Sequence, residues 1–155
     1  MRAANVQQTG RGKLIQLDQI LSYLYAGHAV ITCLNTQTGN WFTYQVTEPK
    51  TQRDPENPVF FVSVLGGPDN TRDFLFLGTI FSRRVFKPGR RVQEQAPSVQ
   101  AFQWVFDRLR EGRVLDPVEI YHEGRCGRCG RALTVPESVE SGFGPECRQL
   151  REGAG

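Results

Sequence analysis

The sequence predicts an α+β protein in which an antiparallel sheet of four to five strands packs with one or two helices and is followed by a C-terminal zinc knuckle. Three observations lead to this prediction. The middle of the chain consists of short segments rich in β-branched and aromatic residues, separated by turn-forming residues. A stretch with the apolar spacing of a helix lies on each side of these segments. Near the C-terminus, a pair of cysteines is followed by a third cysteine.

Two helices are expected. The first has four apolar residues with the spacing of one helix face: Leu17, Ile20, Leu21 and Leu24. This predicts a short helix near residues 18–26, capped by Asp18 and ended by Gly27. The second has Ser98 as its N-cap and Gly112 as its C-terminal stop, and its apolar stripe consists of Phe102, Val105, Phe106 and Leu109. The second helix is expected to cover one face of the sheet, while the first shares that face or caps an edge.

Five segments of the sequence are predicted to form strands. Residues 29–34 and 41–47 flank a turn-forming stretch and predict a hairpin. Residues 59–65 and 74–81 are the third and fourth strands, and residues 83–86 either continue the fourth or form a short fifth. Three units follow from these elements: a flexible lead over 1–13, an α+β body over 14–119, and a zinc-binding knuckle with a short helix over 120–155.

The composition restricts the class of protein. The chain has 155 residues and a formal net charge of +3, which is mild and does not by itself indicate nucleic acid. No apolar run reaches the roughly 18 residues of a membrane helix, and the N-terminus lacks the apolar stretch of a secretory signal. We therefore expect a cytoplasmic protein that does not engage a membrane. Thiols stay reduced in that compartment, so paired cysteines indicate a metal more than a disulfide.

The zinc prediction rests on three cysteines. Cys126 and Cys129 form a C-x-x-C pair flanked by glycines, which allow the tight turn of a knuckle. Cys147 follows a proline suited to the first turn of a helix, and a knuckle followed by a helix-borne ligand is the order of a treble-clef-like finger. A closed structural site needs a fourth ligand, but the usual position holds Leu150.

His122 is the predicted fourth ligand because it lies four residues before Cys126, on the strand that leads into the knuckle. The other typical candidates are His28 and Cys33, and Cys33 is expected to be a small core residue. The alternative is that His122 is a surface histidine and that water or a carboxylate such as Glu123 completes the site. We expect one structural Zn²⁺. A catalytic zinc is not expected, since His122 and Glu123 are adjacent and their side chains diverge on a strand.

The C-terminal segment resembles a small zinc-binding domain of unknown function that occurs in bacteriophage, prophage and actinobacterial proteins. The resemblance covers roughly residues 120–150 and rests on C-G-R-C-G-R from Cys126, on P-E-S from Pro136, and on G-F-G-P-E-C ending at Cys147. It implies zinc binding by the three cysteines and the upstream His122. It also implies a mobile-element origin, and therefore a bacterial host cytoplasm, but it implies no activity.

A basic cluster follows the fourth strand, with Phe81 and Phe86 interleaved. It consists of Arg83, Arg84, Lys87, Arg90 and Arg91. Three further arginines in the knuckle would extend a basic surface: Arg125, Arg128 and Arg131. Basic side chains follow a phosphate backbone, and exposed aromatic rings stack on bases. The alternative is a solvated loop whose phenylalanines belong to the core.

Aromatic residues on the predicted strands cannot all face the same way. Neighbours such as Trp41 and Phe42, or Phe60 and Phe61, must point to opposite faces because side chains alternate along a strand. The sheet therefore either has a second covered face or exposes an aromatic face to a partner.

The sequence favours a non-enzymatic, phage-type zinc-binding protein. No constellation of serine, cysteine or carboxylate residues suggests catalysis, and no phosphate-binding or dinucleotide fingerprint is present. Nucleic acid is the favoured partner, bound through the basic and aromatic surface. The alternative is a protein-binding inhibitor or adaptor that acts on a host transcription or defence factor.

Overall fold

The computed structural model describes residues 12–66 and 74–122. Within them the chain forms one antiparallel sheet of seven strands and two helices. The strands are β1 Lys13–Leu14, β2 His28–Asn35, β3 Trp41–Thr47, β4 Val59–Leu65, β5 Phe74–Phe81, β6 Val85–Pro88 and β7 Val118–His122. The helices are α1 Leu17–Leu24 and α2 Pro97–Glu111. The strand order is β1-β7-β2-β3-β4-β5-β6.

The α+β class is confirmed, but the predicted number of four to five strands is too low. β3, β4 and β5 have the predicted bounds, β2 is one residue longer at each end, and β6 is a separate strand. The two strands absent from the predicted sheet are β1 and β7. β1 has only two residues and no readable alternation. The strand expected to lead from His122 into the knuckle is β7, but it lies inside the sheet, paired with β1 and β2, which precede it by most of the chain.

The ends of α1 differ from the prediction. Its N-cap is Gln16, which makes no side-chain capping bond, and Asp18 lies inside the first turn. The side chain of Gln19 instead accepts a hydrogen bond from the Ile15 N–H at 3.2 Å. The helix ends at the C-cap residue Tyr25, before Gly27 is reached.

The C-terminal stop of α2 is as predicted, and its start is not. Gly112 is the C-cap, in the left-handed region with φ of 70°. A residue with a Cβ is strained in this conformation, which explains why the chain has glycine there. The N-cap is Ala96 and not Ser98, because Pro97 begins the helix and its fixed φ suits the first turn.

Both helices lie on the same face of the sheet. Phe102 of α2 packs edge-on against Tyr44 of β3 at 5.0 Å between ring centroids, and against Phe86 of β6 at 4.9 Å. The Tyr44 hydroxyl donates to the Ser98 carbonyl at 2.6 Å. On the other side of the sheet's centre, the ring of Tyr23 in α1 packs against the ring of His122 in β7, with 5.7 Å between the ring centroids. The hydrophobic core is therefore the layer between this face and the two helices.

β7 lies inside the sheet. It pairs with β2 from Asn35↔Val118 to Ile31↔His122, and with β1 through Lys13↔Tyr121. The predicted boundary between body and knuckle, at residue 120, thus falls within a strand of the body. Lys13, at the end of the predicted lead, belongs to β1. The Asp116–Pro117 peptide bond just before β7 is cis.

Neither α1 nor α2, the helices formed by residues 12–66 and 74–122, combines the length and the hydropathy that crossing a bilayer requires.

Substituting Phe102 by alanine should destabilise the protein by about 3 to 5 kcal/mol, because the buried ring fills the centre of the core and leaves a cavity. Urea unfolding followed by circular dichroism measures this. Phe61→Ala is the matched control, since it removes the same ring from the opposite, open face and should cost less than about 1 kcal/mol. Equal losses for the two variants would contradict the assignment of the core.

Candidate functional site

Three phenylalanines stand on the face of the sheet opposite the helices. Phe61 is 39% exposed, Phe76 is 52% exposed and Phe81 is 41% exposed. Their strand neighbours Phe60 and Ile80 are buried in the core, as alternation requires. Phe61, Phe76 and Phe81 are called the aromatic patch below.

A β-bulge in β5 determines which ring joins the patch. Val62 pairs with Gly78 and Ser63 pairs with Phe76, so Leu77 is an extra residue. With regular alternation Leu77 would face outward and Phe76 would face the helices. The bulge reverses this, since Leu77 is buried and Phe76 is exposed.

Gly78 permits close packing beside this bulge. A Cβ at this position would lie 2.4 Å from the Lys87 carbonyl oxygen and 2.8 Å from the Phe86 ring. No side chain fits there without moving the backbone of β6. A glycine inside a strand is a sequence signal for an irregularity of this kind.

The patch lies beside a cation. The rings of Phe61 and Phe76 meet edge to face at 6.5 Å between centroids. Lys87 of β6 occupies the same face, in register with Thr79 and therefore with Phe61, and its ammonium lies 5.9 Å from the Phe81 ring. The predicted association of basic and aromatic side chains is therefore present for Lys87.

The other half of this face is buried. Leu34, Tyr121, Thr32 and Thr43 point away from the helices, yet all four are almost inaccessible. The hydroxyls of Thr32 and Thr43 are 2.8 Å apart. The two alternatives raised by the sequence therefore each hold for part of the face: it is covered over β7, β2 and part of β3, and open over β4, β5 and β6.

All five members of the predicted basic cluster are exposed: Arg83, Arg84, Lys87, Arg90 and Arg91. Within residues 12–66 and 74–122, none of them forms an ion pair with a carboxylate. Exposed cations without a carboxylate partner in the described part of the chain favour an anionic partner.

Arg83 differs from the other four in what it contacts. Its guanidinium lies over the rings of Tyr25 and Phe60, at 5.4 Å and 5.5 Å from their centroids. The rings of Tyr25 and Phe60 are themselves in contact, with 4.9 Å between their centroids, and Phe60 faces the core. Burial raises the pKa of Tyr25 to about 12, against the opposing effect of the Arg83 charge. Arg83 thus packs on the helix side of the sheet, away from the aromatic patch.

The turn between β5 and β6 explains where Arg83 lies. Ser82 and Arg83 both have positive φ, 55° and 56°, and the Arg84 N–H donates to the Phe81 carbonyl at 2.9 Å. This is the geometry of a type I′ turn, which normally uses glycine or asparagine. Non-glycine residues there cost roughly 1 to 2 kcal/mol each. Two contacts of Ser82 hold the turn: its N–H donates to the Pro58 carbonyl at 2.8 Å, and its hydroxyl donates to Asn57 Oδ1 at 3.1 Å.

Of the two phenylalanines interleaved with the basic cluster, Phe86 is buried in the core and Phe81 is exposed. Cys33 is a core residue, as predicted, and burial raises the pKa of its thiol to about 12. Its sulfur therefore stays protonated at neutral pH.

His122 is fully buried at the end of β7, beside Tyr23. Its backbone N–H donates to the Gly12 carbonyl at 2.9 Å. The alternative of a surface histidine is therefore wrong. The other predicted zinc-site residues lie outside the described residues: Glu123, Cys126, Cys129 and Cys147. The same holds for Arg125, Arg128 and Arg131. Residues 12–66 and 74–122 contain no cluster of three or more histidine, cysteine or acidic residues that would hold a metal.

Comparison with known proteins gives one match. A family described as "Family of unknown function (DUF6011)" matches residues 116–151. The matched segment begins just before β7 and includes His122 and the three C-terminal cysteines. It supports an uncharacterised C-terminal domain, as the resemblance in the sequence implied, and it covers less than half of the chain. No curated protein and no solved structure matches.

Substituting Arg83 by alanine should destabilise the protein by about 1 kcal/mol, because its guanidinium contacts two aromatic rings. Arg84→Ala is the matched control and should change stability by less than about 0.5 kcal/mol, since the side chain is exposed and unpaired. Chemical denaturation of the two variants in parallel makes the comparison. If both variants match the parent protein in stability, Arg83 has no structural role.

Proposed function

We propose that the protein is a non-enzymatic binder of single-stranded nucleic acid, and that its β4–β6 face is the binding surface. The observation that carries the proposal is the aromatic patch standing open beside exposed, unpaired cations. Aromatic rings on the open face of a sheet stack on unpaired bases, and lysine and arginine side chains contact the phosphates between them.

The arrangement suits a single strand better than a duplex. Stacking on a ring requires a base that is free on at least one face, which duplex pairing prevents. Phe61 and Phe76 are close enough for neighbouring bases of one strand, and Phe81 lies further along the same face. Lys87 lies among these rings, while Arg84 follows in the β5–β6 turn. Every base has an aromatic face, so we expect little sequence preference.

The alternative, an inhibitor or adaptor that binds a host protein, is supported by a different observation. One aliphatic side chain is also open on this face, since Val85 is 47% exposed. Val85 is in register with Phe81 and enlarges the apolar surface. A protein partner would bury aliphatic and aromatic side chains alike, whereas stacking on bases uses only the rings.

Replacing Phe61 or Phe76 by leucine should separate the two functions. Leucine keeps apolar surface but removes the ring, so binding to a labelled mixed-sequence oligonucleotide should weaken about ten-fold for each change. Fluorescence anisotropy at low salt measures the dissociation constant. Affinity that does not change in either variant, or no binding by the parent protein at low salt, would rule out stacking. A host protein retained in a nuclease-treated pull-down, and lost in both variants, would favour the alternative.

Salt dependence tests the contribution of the cations. Binding to a single strand should weaken steeply with salt, with a slope of about 0.7 per phosphate contact. Lys87→Ala or Arg84→Ala should each remove about one phosphate contact and so lower that slope by about 0.7. Arg110→Ala is the matched control, because this arginine lies on α2, on the opposite side of the sheet, near Asp107 and Glu111. Its removal should leave the slope unchanged.

We further propose that one structural Zn²⁺ is bound by Cys126, Cys129, Cys147 and His122. The spacing of the cysteines supports it, and so does the position of His122. Zinc binds the neutral form of imidazole, and a ring removed from water suits a neutral ligand. The backbone of His122 is fixed by its pairing with Ile31, so an ion held there would connect the C-terminal segment to the sheet.

Elemental analysis should find one zinc per chain, and Cys147→Ala should lose it. His122→Ala should weaken zinc binding, measured by competition with a chromogenic chelator. His28→Ala is the matched control, because His28 is the only other histidine and is exposed on β2. Zinc retained with unchanged affinity in His122→Ala would show that the fourth ligand is another group.

A further inference from the structure

A cleft of about 380 Å³ lies between α2 and the end of the β2–β3 hairpin. Its floor is formed by buried side chains, Cys33 of β2 and Val105 of α2, and its sides include Phe42 and Trp104. The cleft is on the helix side of the sheet, since Cys33 and Phe42 are paired residues on the face that α2 covers. It is therefore separate from the aromatic patch.

The lining of this cleft carries no charge. The residues that line it include no aspartate, glutamate, lysine, arginine or histidine. Burial raises the pKa of the Cys33 thiol to about 12, so the floor is neutral as well. Polar side chains occur at one end only, where the hairpin contributes Asn35, Thr38 and Asn40. Outside the lining, the Arg108 guanidinium lies 4.2 Å from the centroid of the Trp104 ring, so this ring already contacts one cation.

Two polar groups in the lining have no hydrogen-bond partner among the described residues. They are the side-chain amide of Asn40, which is exposed to solvent, and the indole N–H of Trp104. Asn35 differs, because its Oδ1 already accepts from the N–H groups of Gln37 and Thr38 and so holds the turn. Asn40 and Trp104 therefore offer an amide donor, an amide acceptor and an indole donor beside two aromatic rings.

We propose that this cleft binds a nucleoside through its uncharged heteroaromatic base. The volume lies in the range of small-molecule sites, which combine apolar walls with a few polar groups that fix the ligand's orientation. Phe42 and Trp104 supply aromatic contacts for a planar ring, and Asn40 supplies the donor and acceptor pair that a base edge needs. The residues that line the cleft include no cation to bind a phosphate, so the base and sugar are the parts that it recognises. This proposal does not depend on the nucleic-acid surface of β4–β6.

Tryptophan fluorescence can test it. In Trp41→Phe, Trp104 is the one remaining tryptophan, because the chain has two. Adenosine, cytidine and uridine are titrated separately. At least one should change the emission with saturation, at a dissociation constant on the order of 0.1 mM for a ligand of this size. The affinity should not change with salt. Trp104→Phe is the matched control, in which Trp41, on the other face, should show no saturable change.

Two substitutions locate the binding site. Ala101→Phe, made in the Trp41→Phe protein, places a ring in the cleft and should weaken binding at least ten-fold. Asn40→Ala removes an amide that has no partner in the described residues, so it should weaken binding a few-fold without changing the unfolding temperature. Phe61→Ala, on the aromatic patch, should leave nucleoside affinity unchanged.

Three results would overturn the proposal. In the first, none of the nucleosides produces a saturable change. In the second, indole or p-cresol binds and the nucleosides do not, which would mean that the cleft accepts an aromatic side chain of another protein. In the third, nucleoside 5′-monophosphates bind more tightly than nucleosides, with strong salt dependence and loss in Phe61→Ala, which would place the binding on the β4–β6 face.

Discussion

The alternation of side chains along the strands of a single sheet is the constraint on which the structure depends. Both helices pack on one face, through contacts such as Phe102 with Tyr44. The sequence has ten phenylalanines, many of them on strands, and each strand must send part of its side chains to the other face. With α1 and α2 both on the core side, neither helix can bury the residues that point away from it. Over β4–β6 those residues are aromatic and open, so the core and the candidate binding surface result from the same pattern.

The bulge in β5 is the one place where the described strands depart from this alternation. It moves Leu77 into the core and Phe76 onto the open face, where Phe76 meets Phe61. Gly78 allows β6 to pack closely beside the bulge, and the register of Lys87 with Thr79 places Lys87 on the same face as the rings. A regular strand would bury Phe76 and leave a leucine in its place. The composition of the patch is thus determined by a backbone irregularity and not by side-chain pattern alone.

The sequence predicted what local patterns determine. The bounds of β3, β4 and β5 follow from runs of β-branched and aromatic residues, and the end of α2 follows from Gly112. It put His122 on a strand but could not place that strand in the sheet, because its partners are distant in the chain. The same limit applies to the site. In the sequence, Arg83 cannot be distinguished from the other basic residues of the cluster. Only the positive φ of the turn directs its side chain onto Tyr25 and Phe60. The burial of His122 likewise depends on the packing of α1 against β7.

β7 changes how the C-terminal segment should be regarded. The segment that matches the family begins at residue 116, so it includes a strand of the sheet, paired on both sides. It also supplies Pro117 and Val118 to the lining of the cleft beside α2. If His122 binds zinc, the ion is attached to a strand in which Ile120 and Tyr121 are also buried. A change at the metal would then act on the pairing of β7 with β2, on which the cleft wall at Val118 depends. Residues 118–122, the described strand of that segment, therefore complete the sheet of the body.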